Sequence, residues 1–175
     1  MNESRSGKLL VANPQLMDPN FYRAVVLVVQ HDEEGTVGVV LNRETVGAVR
    51  DHLPGWEGKA IEPGLIHYGG PVEPEVAIAL SLTNEGMSTG LAGLTMVDVG
   101  SDPPPGAPSV RIYSGYAGWG AGQLEAELAT GSWYVVQASP EDPFDAPSDQ
   151  WQKVLRRQPG FLSFVSSFPN DVTMN

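Results

Sequence analysis

The sequence contains no cysteine. That excludes disulfides, iron–sulfur clusters, thiolate zinc sites and cysteine nucleophiles. Basic residues are scarce: ten Lys and Arg stand against 21 Asp and Glu, for a formal net charge of −11. Nucleic-acid affinity rests on Lys and Arg neutralising phosphates, so a chain this acidic has no general attraction of that kind. The same argument disfavours an anionic membrane surface. Long apolar runs are missing too. The longest, Ala24–Val29, is six residues, against the ~20 a helix needs to span a bilayer. Residues Met1–Gly7 are polar and show no apolar signal-peptide core of ~7–15 residues. The expected location is therefore cytoplasmic, and the sequon-like Asn2-Glu3-Ser4 is accidental. Only three histidines occur, His31, His52 and His67, and their spacings match no metal-ligand template. No metal and no cofactor is expected.

What remains is the composition of a folded chain. Its 175 residues suit one domain spanning 1–175, with residues 1–7 expected as a flexible tail. Glycine and proline number 20 and 15, which predicts many turns and short elements rather than long helices. Leu9–Ala12 reads as a first strand ended by Asn13-Pro14. Val25–Gln30 is a short unalternated β-branched run, the pattern of a strand buried on both faces. A polar turn at His31–Gly35 joins it to Val37–Leu41, giving a central hairpin. Further strands are expected at Leu65–Tyr68, Ala77–Leu82, Leu94–Val99, Val110–Ser114 and Trp133–Gln137. Val46, Val49, Arg50 and Leu53 lie at helical spacing. Helices are also expected over about 121–130 and from near Ser148 to Pro159-Gly160, while the periodicity of Phe161–Phe168 leaves helix and strand open. Loops fill Trp56–Gly64, Thr83–Gly90 and Asp142–Pro147, and Asp102–Pro108 is a stiff connector. Short connections and few helices predict an α+β fold with a mixed, largely antiparallel sheet and a few flanking helices.

Several segments are candidates for chemistry. The stretch Tyr113–Leu124 places glycines after a strand and before a helix, which allows backbone N–H groups to approach an anion. It lacks the Lys-Ser/Thr of a phosphate-binding P-loop and does not match a dinucleotide fingerprint. Glu125 and Glu127 would repel phosphate there. The plainer reading is that the glycines let Tyr116 and Trp119 pack against a crossing strand. Asn42-Arg43 ends a buried strand and could face a cleft, or cap the next turn. Gly69-Gly70-Pro71 permits close ligand approach, and is equally an ordinary turn. His67 lies inside a strand as a buried histidine or a pocket residue. Ser114-Gly115 lacks the nucleophile elbow G-x-S-x-G. Lys153, Arg156 and Arg157 form the single basic cluster, with Asp149 placed to pair with Lys153 at i,i+4.

Many of these same segments, in this order and spacing, resemble the YqgE/AlgH family. The matching pieces are Gly7–Pro14, Asp18-Pro19 with Phe21, Gly38–Arg43, Gly69-Gly70-Pro71, Gly115–Trp119 running into Gly122–Glu125, and Trp133 and Trp151. The likeness covers the chain from about Gly7 to its end. It implies a compact α/β or α+β fold with no established reaction, and a "transcriptional regulator" label carried by some members. Glu44 stands where the family usually has Pro, Ala24 where it often has Ser, and no His occurs near Leu80–Leu82. The last departure argues against histidine-based activity at that point. Residues and resemblance together favour a binding or regulatory protein over an enzyme acting on a small polar substrate. A DNA-binding regulator is disfavoured by charge. Catalytic residues are not readable. The expected ligand-binding residues are Asn42, Arg43, Gly69, Gly70, Pro71, Tyr116, Trp119 and Gln123, for a small molecule or a protein partner. Surface aromatics would allow a homodimer.

Overall fold

A computed structural model describes residues 4–145 and 148–169. Its strands are β1 (Lys8–Ala12), β2 (Val25–Asp32), β3 (Gly35–Val40), β4 (Thr45–Ala48), β5 (Leu65–Tyr68), β6 (Val72–Ser81), β7 (Met87–Ser88), β8 (Thr95–Val97), β9 (Arg111–Gly120) and β10 (Trp133–Gln137). Four short helices accompany them: α1 (Val49–His52), α2 (Gln123–Ala129), α3 (Gln150–Arg156) and α4 (Phe161–Val165). The strands form one sheet in the order β10-β1-β2-β3-β9-β6-β8-β7, with β4 and β5 attached beside β9. The β5–β9 ladder is parallel and the other ladders are antiparallel. The fold is thus a mostly antiparallel sheet with a few small helices, as the short connections predict.

The unalternated run in β2 is explained by two cores. Val25, Leu27 and Val29 point into one cluster, with Leu9, Val11, Trp151, Val154 and Leu155. Val26 and Val28 point the other way, against Trp119, Leu124 and Trp133. A strand covered on both faces needs apolar side chains at every position. α3 and α4 cover the first face, and α2 with the turn around Phe21 covers the second. A third cluster, built on Val49, Trp56, Ile66 and Ile112, lies at the far end of the sheet.

The central element is β9, which serves both ends. Its Ala117–Gly120 part pairs with β3, and its Ile112–Ser114 part pairs with β5. The changeover falls at Gly115, with φ +72°. Here the chain after β5 crosses β9 almost in van der Waals contact. A Cβ on Gly70 would sit 2.0 Å from the carbonyl carbon of Tyr116, and one on Gly115 would sit 2.5 Å from the carbonyl oxygen of Gly70. Only glycine fits on both sides of such a crossing.

Several expectations change. Gly115–Gly120, within the glycine-rich segment expected before the helix, is strand: Gly115 makes the crossing, and Gly118 and Gly120 pair with Val37 and Gly35 of β3. The helical spacing from Val46 gives way to β4, which pairs with β5 through Thr45–His67 and Ala48–Leu65, leaving α1 only four residues. β6 begins at Val72, not Ala77, and bulges between them. β7 lies inside the expected Thr83–Gly90 loop. Phe161–Val165 is helix. Of the expected tail, Ser4–Gly7 is fixed to β2: Arg5 N donates to His31 Nδ1 at 2.8 Å and Gly7 N to the Val28 carbonyl at 2.7 Å. Residues 1–3 of that tail, and 146–147 of the expected Asp142–Pro147 loop, lie outside the described residues.

Candidate binding groove

The eight residues expected to bind a ligand are divided among three places. Asn42 holds backbone: its Oδ1 accepts from Val25 N and its Nδ2 donates to the Arg23 carbonyl, both at 2.9 Å. Arg43 straps the preceding turn by donating to the carbonyls of Tyr22 at 2.6 Å and Asn20 at 3.3 Å. Burial holds its guanidinium below the ordinary value, an effect Tyr68 opposes. Gly69 and Gly70 form the crossing over β9, with Pro71 exposed beyond it. Tyr116 donates to Glu73 Oε2 at 3.0 Å, and that hydrogen bond raises its pKa. Trp119 is only 5% exposed. Its Nε1 donates to Glu127 Oε1 at 3.1 Å, as does Trp133 Nε1 at 3.0 Å, while Gln123 Nε2 donates to Glu127 Oε2 at 3.1 Å. Glu127 therefore satisfies two indoles and a side-chain amide at the β9–α2 junction, with Trp119 buried there and Gln123 exposed.

The titratable groups are also largely spoken for. His31 accepts the Arg5 amide on Nδ1, which leaves the proton on Nε2, 2.7 Å from Glu125 Oε1. His31, near the end of β2, thus clamps the N-terminal segment to α2, while Asp32, Glu33 and Glu34 of the polar turn are exposed. His67 Nε2 lies 3.0 Å from Arg111, which can only donate, so the imidazole accepts and stays neutral. Burial, then the Arg111 charge, pushes its pKa down to about 4. The basic cluster is split: Arg157 forks onto Asp142 with two contacts of 2.7 Å, while Lys153 pairs with Asp149 at 3.7 Å as the i,i+4 spacing predicts. Among the described residues no group of three or more His, Asp and Glu could hold a metal ion.

Arg23 is a feature the sequence did not announce. It is buried, has φ +52°, and stacks on the Trp151 ring at 4.2 Å. It donates to the carbonyls of Phe168 and Pro169, which fixes the segment after α4 to the sheet. A cation–π stack of this kind supplies part of what a buried guanidinium loses with water.

A hollow of about 300 Å³ beside β3 is lined by Tyr116 and Trp119 of the expected residues; two roomier ones lie along β6 and β8. A groove of about 690 Å³ is lined by Leu53, Ala77, Ala79, Met87, Val97 and Val99, with Glu75, Glu85 and Asp98 also on its wall. A second hollow of about 440 Å³ adjoins it and shares Leu53, Glu75 and Ala77. The floor is apolar because β6 and β8 turn Ala79 and Val97 toward the third cluster. Glu75 stands on the bulge of β6, where residues 73–76 leave the ladder and become exposed. Met87 is 57% exposed at the groove wall. Glu75, Glu85 and Asp98 form no salt bridge among the described residues. The second hollow includes His52 and Ser114, but Ser114 Oγ donates to the Pro74 carbonyl. None of the groove residues stood out in the sequence, since a two-residue strand and a bulge carry no periodicity. The one available signal was the run of acidic residues flanking short apolar segments.

A family model described as AlgH-like matches residues 9–163. A UPF0301 protein of Streptomyces coelicolor is 47% identical, over 98% of this chain and 96% of its own length. A UPF0301 protein of Mycobacteroides abscessus is 42% identical, over 98% and 88%. Among solved structures, protein DIP2367 from Corynebacterium diphtheriae superimposes with a TM-score of 0.83 at 33% identity, covering 95% of this chain and 94% of that one. The solution structure of the AlgH protein from Pseudomonas aeruginosa gives 0.68 at 29% identity, covering 95% and 97%. With the family model spanning most of the sequence and relatives of similar length matching nearly all of it, the chain belongs to the AlgH-like family.

Proposed function

We propose that this chain is a non-enzymatic binding protein whose β6–β8 groove takes an apolar group carrying a positive charge, presented by a partner protein. The observation that carries this reading is an apolar floor walled by three carboxylates without basic partners. An apolar cleft with a few placed polar groups is the usual form of a binding site, and unpaired carboxylates favour a cation by charge complementarity. The net charge of −11 extends that preference to long range. In the adjoining hollow Ser114 Oγ donates to the Pro74 carbonyl rather than to a general base, which fits binding better than turnover there.

The test is a titration of the isotope-labelled protein, followed by amide NMR, with octylammonium and separately with octanoate, both below their micelle concentrations. Octylammonium is expected to shift amides of Leu53, Ala77, Met87 and Val97, and octanoate to leave them in place. Equal shifts with both probes, or shifts confined to the Arg43–Tyr68 region, would overturn the reading.

A further inference from the structure

We infer, resting on the groove reading above, that the occupant is an extended polypeptide segment bearing Lys or Arg that adds a strand alongside β8 at Val97. The observation behind it is where β7 stops. On one side β8 pairs with β6 along Thr95–Val97. On the other side β7 reaches only Thr95 and Met96. Upstream of Met87 the chain leaves that line: Gly86 takes φ +144°, and the Glu85 carbonyl turns back to accept from Thr95 Oγ1 at 3.3 Å. Val97 therefore has a strand neighbour on one side only, and its free side opens into the groove between Gly86–Met87 and Asp98. A strand edge with unpaired backbone groups is a template for another chain, and such pairing supplies affinity while alternate side chains supply specificity. Successive side chains of an added strand point to opposite faces. Every second residue would enter the groove, where a Lys or Arg lays its methylene stem against Met87 and its charge against Glu85 and Asp98. A second copy of this chain fits poorly, since it would bring the same carboxylates and another net charge of −11 to the contact.

The test uses the full chain and a blocked hexapeptide, Val-Lys-Val-Lys-Val-Lys, with two analogues N-methylated on alternate residues. One methylated set faces β8 and the other faces solvent. The native peptide is expected to shift the amides of Met87, Val97 and Asp98. One analogue should then lose about tenfold or more in affinity while the other keeps it, because only one set removes bonded N–H groups. If both analogues bind like the parent while octylammonium still shifts the groove, strand addition is overturned and the groove reading stands. If neither peptide nor octylammonium binds, both fall together. If the same amides shift with protein concentration alone, the occupant is a second copy and the inference is overturned.

Discussion

The two ends of the sheet differ in how they are covered. Around β1, β2 and β3 both faces are packed, and Leu9–Ala12, Val25–Val29 and Val39–Leu41 are all buried. Around β6, β7 and β8 one face is packed and the other borders the groove: residues 73–76 and both residues of β7 are exposed. Burial of apolar area is the main source of stability, so the covered end holds the fold. The open end, with fewer packed neighbours, is free to offer surface. Binding regions are drawn from such low-stability segments. The two ends meet along β9, at its glycine crossing, and in the first cluster, where Leu80, Leu94 and Tyr113 pack with Leu9, Val11 and Leu27.

The largest expected effect breaks the glycine crossing. Gly70→Ala places a Cβ against Tyr116 backbone, where nothing can yield. It should cost about 4 kcal/mol or more, the range of exceptional point substitutions, read as lost cooperative unfolding in urea. Next comes the covered end. Trp119→Ala should cost about 3–5 kcal/mol, the usual toll for truncating a buried aromatic, measured by chemical denaturation. A loss under 1 kcal/mol would mean that Trp119 is not core.

Glu127→Gln should cost about 1–3 kcal/mol, since two indole N–H groups lose a charged acceptor; tryptophan fluorescence during unfolding reads it. A smaller effect belongs to His67. Its folded pKa of about 4 lies below the ordinary 6.5. Between those values the unfolded chain binds the proton first, so stability falls as pH drops from about 6.5 to about 4. His67→Gln keeps an acceptor for Arg111 and should flatten that part of the curve relative to the parent. The smallest effect on stability is expected from Glu85→Lys with Asp98→Lys at the open end, within about 0.5 kcal/mol as for exposed sites. Octylammonium shifts should vanish in that double variant. Loss of stability there would erase the distinction between the two ends.

The covered end was legible in the sequence and the open end was not. β2 announced itself because burial on both faces forces an unbroken apolar run. α2 and α3 announced themselves through Leu124–Leu128 and Trp151–Val154–Leu155. Gly115–Gly120 misled because glycine marks both a loop and a close crossing, and only the partner, 45 residues away at Gly70, distinguishes them. Trp119 and Gln123 entered the expected site with the glycine-rich segment between strand and helix. Their partner, Glu127, was read there only as a charge repelling phosphate. The groove escaped because Glu75 sits on a bulge and Met87 on a two-residue strand, and neither creates a pattern. Arg23 escaped because a lone basic residue gives no sign that it will be buried on Trp151.

Hydrogen exchange of the full chain, resolved by residue and run with and without octylammonium, tests the division of labour most directly. The account predicts that amides of β1, β2 and β3 exchange only through global unfolding. Amides of β7 and β8 should exchange faster and slow when octylammonium is added, with β1–β3 unchanged. Equal protection at both ends, unaltered by the probe, would contradict it.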